Sequence, residues 1–196
     1  MKEALDEIGF NYVEAKDEAA FYGPKLDIQA RNVNGKEDTL FTAQIDFLLP
    51  EKFNITYIDA DGSEKRPAMI HRSTIGSLER VFAFLIEHYG GAFPLWLSPV
   101  QVKVLSIGEG HRVFAEETVG ALKEAGIRVE LDGSDETLGK KIRNAKTEKV
   151  PYMLVVGDKE VRDKVVTLES RDKGNLGQIE VSKLIEQLKG EIEERT

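Results

Sequence analysis

Four stretches of the chain hold residue types that can do chemistry. In Met69–Phe82, "MIHRSTIGSLERVF", a histidine and an arginine close an apolar run, and Ser73, Thr74 and Gly76 make a turn. Arg80 then stands near the start of a segment with helical spacing. A strand that feeds a helix through such a turn offers free backbone N–H groups and the positive end of the helix dipole, which together attract anions. A guanidinium at that point can grip phosphate by its edge or lie flat on a ring. The same residues also make an ordinary N-cap with a Glu79–Arg80 surface pair, and His71 alone also reads as a hydrogen-bonded strand-end residue. Residue types alone leave both readings open.

The second stretch, "EAAFYGPKLDIQA" (Glu18–Ala30), forces a Gly-Pro turn before a strand and hangs Tyr22 and Lys25 over its end. In the third, Thr42, Gln44 and Asp46 alternate with Phe41, Ala43, Ile45 and Phe47. They therefore share one strand face, which is a solvent face unless something covers it. The fourth is a basic segment in which Lys140, Lys141, Arg143, Lys146 and Lys149 outnumber Asp135, Glu136 and Glu148. It reads either as a solvated helix face or as a patch for an RNA backbone.

These stretches need a scaffold. Before Asn34-Gly35, a strong hairpin turn, Leu26, Ile28 and Ala30 alternate with polar residues, and Thr39–Phe47 returns. Pro50 ends that strand, and a second hairpin is expected from Asn54–Asp59 and Lys65–His71 around Asp61-Gly62. Together they predict an antiparallel sheet of about four or five strands with one polar face. Ile75, Leu78, Phe82, Leu85 and Tyr89 recur at helical spacing, so that helix is expected to cover the apolar face. Gly90-Gly91 stops it, and "AFPLWLSPV" (Ala92–Val100) reads as a domain junction.

Beyond the junction strands alternate with helices, which predicts a compact α/β domain whose sheet is covered on both faces. The basic helix is given Ser134 or Asp135 as N-cap, "VVTLESRD" reads as an edge strand, and Glu180–Glu194 as a terminal helix. The fold class is thus α/β (α+β), divided at 1–97 and 98–196.

Bulk properties narrow the function. The chain of 196 residues has a formal charge of −8, which argues against coating nucleic acid by bulk electrostatics, so any such contact needs a local patch. Having no cysteine, it can form neither disulfides nor a thiolate metal site of its own. Its apolar runs are broken by charges or glycines, and Met1–Gly9 reads as a charged amphipathic helix and not a signal peptide. A cytoplasmic protein is the expectation.

Taken in order, "AFYGPKLD", "QIDF-LLP", "MIHRSTIGSLERV", "FPLWLSPVQV", "AGIRVELD", "VPYMLVVGDKEV" and "NLG" resemble the C-terminal part of the threonyl-tRNA synthetases, a class II family, over essentially the whole chain. The resemblance implies that residues 1–97 are the end of a class II catalytic core and 98–196 an anticodon-binding domain. It implies ATP with Mg2+, threonine and tRNA-Thr as reaction partners, and a homodimer for the full-length enzyme. Gly76–Arg80 is similar to the third class II signature, whose arginine holds ATP; this makes Arg80 the catalytic candidate. Tyr22, Lys25, Thr42, Gln44 and Ser77 fall on positions near ATP and the aminoacyl pocket, and His71 on a zinc-ligand position. A metal that demands the substrate hydroxyl separates threonine from isosteric valine better than an apolar pocket can.

In the second domain Arg143, Lys149, Glu160 and Arg171 are the candidates for the tRNA anticodon. Here Lys149 replaces a frequent arginine, Asp135 a frequent asparagine and Glu169 another arginine, whereas Arg171 lies two residues on along the same strand face. Thr39 stands where relatives usually carry part of a Trp-Gln pair. The first and second class II signatures, the editing domain and the other two zinc ligands do not occur in this sequence, and His88 and His111 are badly placed to substitute. The expectation is therefore a fragment that by itself neither holds Zn2+ nor activates threonine. The alternative is a non-catalytic, synthetase-like module that binds tRNA or a partner.

Overall fold

The structure, a computed structural model, describes residues 1–73 and 75–195; Thr74 of the predicted Ser/Thr/Gly turn and Thr196 lie outside the described residues. The chain divides into two compact units, Met1–His88 and Tyr89–Thr196.

The first unit opens with the short helix α1 (Lys2–Glu7), none of whose residues is buried. Strands β1 (Lys25–Arg31) and β2 (Glu37–Asp46) form the hairpin announced by Asn34-Gly35, with Gly35 at φ +78°. Asn32 closes the turn by accepting the amides of Asn34 and Lys36 on its side-chain oxygen. Helix α2 (Leu48–Lys52) follows and contains Pro50, so the strand ends at Asp46 and not at the proline.

The second hairpin differs from the expectation. Only β3 (Tyr57–Ile58) and β4 (Glu64–Lys65) pair around Asp61-Gly62, as a separate two-stranded ribbon. Strand β5 (Met69–Arg72) leaves that ribbon and pairs antiparallel with β2, giving a three-stranded sheet β1-β2-β5 in place of four or five strands. Helix α3 (Leu78–Tyr89) keeps its predicted spacing, but none of its residues is buried, and Leu78 and Phe82 are each 60% exposed. The sheet's apolar row of Leu26, Ile28, Phe41, Ala43 and Ile45 is only half-buried. Three strands are too few to enclose a helix and a sheet face in one core, so the predicted cover is partial.

The second unit has the enclosed core. Its five-stranded mixed sheet runs β10-β9-β8-β6-β7. Strands β6 (Val102–Ser106), β7 (Val129–Asp132) and β8 (Tyr152–Val156) are parallel, while β9 (Val166–Ser170) and β10 (Gly174–Ile179) continue antiparallel. The predicted edge strand β9 is therefore internal; β10, built on the Gly-rich "GNLGQI", takes the edge. Side chains alternate between two cores. Val102, Val104, Leu154 and Val156 meet Ala115, Val119 and Leu122 of α4 (Arg112–Glu124) and Leu184 and Leu188 of α7 (Val181–Glu194). Leu105 and Met153 meet Ala145 of α5 (Leu138–Thr147) on the opposite face. The N-cap of α5 is Thr137, whose Oγ1 accepts from the Lys140 amide; the expected Ser134 is bonded instead to the Asp132 carboxylate. Helix α6 (Asp158–Asp163) links β8 to β9.

Every buried apolar side chain of the described residues that forms these cores lies between Leu95 and Leu188. Leu154 is fully enclosed in the central strand. Leu154→Ala should cost about 2–5 kcal/mol in urea unfolding of the second unit and strip amide protection from β6 and β8. Hydrogen exchange should show β1 and β2 unaffected.

Candidate functional site

Strand register brings the first-unit candidates together. Gln44 lies opposite Lys25 on one neighbour and His71 on the other, and Thr42 lies opposite Asp27. A single polar row thus crosses all three strands. The Tyr22 hydroxyl donates to Gln44 Oε1 at 2.9 Å. This reach depends on the Tyr-Gly-Pro turn running along β2, where Ile45 N donates to Pro24 O and Phe47 N to Tyr22 O. Gly23, at φ +152°, is required there, because a Cβ would lie 2.0 Å from the Ile45 carbonyl oxygen.

Lys25 Nζ donates to Asp27 Oδ2 at 2.5 Å, and Thr42 Oγ1 to Asp27 Oδ1 at 2.6 Å. Partial burial by itself raises the Asp27 pKa; the Lys25 and Thr42 donors outweigh it and hold the carboxyl below its ordinary value. His71 Nε2 lies 2.8 Å from Asp46 Oδ2, and Asp46 Oδ1 accepts the amides of Leu48 and Leu49 at the start of α2. Burial pushes the Asp46 carboxyl up, but those two amides and the imidazole pull it further down. An ionised carboxylate only accepts, so Nε2 is the donor in this bond.

A hollow of about 750 Å3 opens over this row, lined among others by Thr42, Gln44, His71, Ser77 and Arg80. Ser77 precedes α3; its Oγ accepts the Arg80 amide and donates to Glu79. Glu79 therefore does not pair with Arg80, whose guanidinium Nη1 donates to the Thr39 carbonyl at 3.3 Å. Gly76 itself lies against β2, where a Cβ would stand 2.2 Å from Leu40 O. Tyr22 and Lys25 do not line the hollow; they meet its lining through the bond of Tyr22 to Gln44 and that of Lys25 to Asp27, which accepts from Thr42. Asp27 was missed as a site residue, and Asp46, noted on the polar face, was given no role; only the strand register reveals them as partners of Thr42 and His71.

A catalytic zinc takes three protein ligands. His71 offers one nitrogen, and among the described residues no three His, Cys, Asp or Glu side chains are grouped to hold a metal. The described residues do not by themselves fit a zinc centre.

In the second unit the basic patch is smaller than the sequence count suggests. Lys141 is buried at 1% exposure, with Nζ donating to the Ser106 and Asp132 carbonyls. Lys140 pairs with Glu136, and Lys146 with Glu169 at 2.7 Å, which neutralises the carboxylate at the arginine position noted above. Lys149 donates to Gly90 O. Arg171 donates from Nη1 to Phe93 O and Lys149 O and from Nε and Nη2 to Asp172. Arg143 is exposed and, alone among the helix's basic residues, has no side-chain partner among the described residues.

Glu160 is buried, its carboxylate accepting from Gly157 N, Thr167 Oγ1 and Gln178 Nε2. Burial favours the protonated form, but these donors outweigh it and hold the pKa below the ordinary 4.5. The folded value is the lower one, so the carboxylate's stabilisation is complete above pH 4.5 and is lost as pH falls through the depressed value. Glu160→Gln should therefore flatten the acid limb of the second unit's Tm–pH profile. An unchanged acid slope in circular dichroism melts would refute this assignment.

Comparison with known proteins matches residues 1–89 to the tRNA synthetase class II core domain (G, H, P, S and T) and residues 101–191 to the anticodon binding domain. A threonine–tRNA ligase of Clostridium botulinum is 55% identical over 192 residues, 98% of this chain and 30% of that protein. One from Geobacillus kaustophilus is 56% identical over 169 residues, 86% of this chain and 26% of that protein. The RNA binding domain of threonyl-tRNA synthetase from Cryptosporidium parvum superposes with a TM-score of 0.82 at 39% identity, covering 96% of this chain and 48% of that one. The chain thus spans under a third of the length of these ligase relatives. With its two units matched in order to a class II core and an anticodon domain, it belongs to the threonyl-tRNA synthetase family.

Proposed function

We propose that residues 1–97 complete the ATP and threonine site of a threonine–tRNA ligase and that residues 98–196 bind the anticodon arm of tRNA-Thr. The hollow shared by Thr42, Gln44, His71, Ser77 and Arg80 carries this reading. The reaction is attack of the threonine carboxylate on the α-phosphate of ATP, which releases pyrophosphate and leaves a threonyl adenylate, followed by attack of a ribose hydroxyl of the tRNA's terminal adenosine on the threonyl carbonyl, which releases AMP. Arg80 meets phosphate charge and covers adenine; Thr42 and Ser77 lie beside the nucleotide. Gln44, oriented by Tyr22, faces the aminoacyl group, and Lys25 holds Asp27 and Thr42 in place. His71, its Nε2 fixed by Asp46, is one ligand for a zinc ion whose remaining ligands come from elsewhere. Catalysis of this kind is positioning and electrostatic stabilisation.

The ligase relatives match along 86–98% of the chain, which supports this reading over a non-catalytic module. The full-length enzyme is proposed to be a cytoplasmic homodimer. No helix among the described residues is long and apolar enough to cross a membrane.

Threonine-dependent ATP–pyrophosphate exchange tests the first half. The isolated chain should give none, and a full-length ligase carrying this segment should lose about 100- to 1000-fold in rate on Arg80→Ala. Exchange unaffected by that substitution would remove Arg80 from the site.

For the second half, Arg143 and Lys149 are the residues proposed to touch RNA, Lys149 being exposed with a single side-chain bond to Gly90 O, whereas Glu160 and Arg171 spend their polar atoms on the fold. Arg143→Ala should weaken binding of a threonine anticodon stem-loop by about 1–3 kcal/mol, read by fluorescence anisotropy. Equal binding of an unrelated stem-loop by the unaltered chain would reduce the patch to nonspecific charge.

A further inference from the structure

Helix α5 is held by cations that point at main-chain oxygens. Lys141 Nζ donates to Ser106 O at 2.8 Å and Asp132 O at 3.3 Å, the last residues of the parallel strands β6 and β7. Just past the helix, Lys149 sits in a left-handed conformation at φ +57°, and its carbonyl accepts Arg171 Nη1 at 3.0 Å. The same Nη1 also donates to Phe93 O at 2.9 Å. The helix is thus tied to the sheet on its inner face and again just beyond its C-terminus. Arg143 lies between the two ties, two residues from Lys141 and hence on the opposite side of the helix.

An ammonium at 1% exposure is an odd choice for stability alone, since an apolar side chain of that length fills the space without losing hydration. What lysine adds is direction, because two fixed acceptors on two strands define where the helix sits. Arg171 likewise has Nε, Nη1 and Nη2 bonded inside the fold, with its side chain 18% exposed. Neither group is free to meet RNA. We propose that Lys141 and Arg171 are positioning residues that fix α5 and so set Arg143 for its RNA contact. This rests on the reading of Arg143 given above.

The test uses the full chain, a stem-loop RNA with a threonine anticodon, and the same stem with a scrambled loop, titrated at several salt concentrations. Lys141→Met should bind the matched loop about tenfold more weakly, the cost of one misplaced contact, and should discriminate less against the scrambled loop. Its salt dependence should match that of the unaltered chain, because no phosphate contact is removed. Undiminished affinity in a folded Lys141→Met with a lowered Tm makes the residue a stability element only and overturns the proposal. A salt slope reduced by about 0.7 makes it a direct phosphate ligand and overturns it as well. Arg171→Met, at the other tie, is expected to behave like Lys141→Met and is judged by the same readings should the latter not fold. Arg143→Ala separates the two levels. If it binds as tightly as the unaltered chain, the RNA reading itself fails; if it alone loses affinity, only the positioning role fails.

Discussion

The first unit depends on one register, the pairing of β2 with both of its neighbours. Because Gln44 faces Lys25 on one side and His71 on the other, three polar groups from distant parts of the chain form one line. A slip of one residue between β2 and β5 would turn His71 to the apolar face and part it from Asp46. The devices that prevent the slip are local. Asn32 and Gly35 shape the hairpin turn, and Gly23 lets the Tyr-Gly-Pro segment lie against Ile45 where no other residue fits. Asp46 adds a link of a different kind, joining the start of α2 to the imidazole through a single carboxylate.

The second unit solves the same problem by burial. Its strands are lined on both faces by enclosed aliphatic side chains, so backbone positions are set by packing. Polar groups are then admitted where they have fixed partners. Gln101 is fully buried, yet its amide bonds Leu95 O and Arg128 N. Glu160 bonds three donors from three segments. Lys141 bonds two strand ends. Each converts a costly buried group into a directional tie.

Much of this was legible beforehand, and what was not has definite physical causes. Alternation in Thr39–Phe47 showed the polar face, and Asn-Gly showed the hairpin, because both signals are local. The partner of Met69–Arg72 was not legible: the sequence offers a hairpin turn just upstream, and only long-range pairing decides that β5 joins β2. Strand β10 was missed because Gly174 and Gly177, both at positive φ, weaken every strand signal in that segment. Thr137 was passed over as a cap for the more polar Ser134 and Asp135, but Asp132 engages Ser134 first. Lys141 was counted with the surface charges, although Leu138, Lys141, Ile142 and Ala145 share one helical stripe and three of the four are apolar. A charge on an apolar stripe is a signal of burial with a partner, and composition alone hides it.

The two ways of holding a side chain bear on what each unit can do unaided. Arg80 is exposed and meets the rest of the hollow by one 3.3 Å bond to Thr39 O, on a helix with no buried residue. A guanidinium so held keeps most of its rotamer freedom, and a nucleotide binding there must supply the ordering free energy at that moment. Arg143 is equally exposed, but its helix backbone is fixed from two sides by Lys141 and Arg171. Only its own side-chain rotamers remain to be ordered, so less of the contact energy is lost on binding. The acidic balance of the chain reinforces the point. With Lys146 bound to Glu169 and Lys140 to Glu136, little long-range attraction is left around α5. The proposed affinity for RNA must then come from well-placed single contacts and not from accumulated charge, which is the condition under which placement of one arginine matters most.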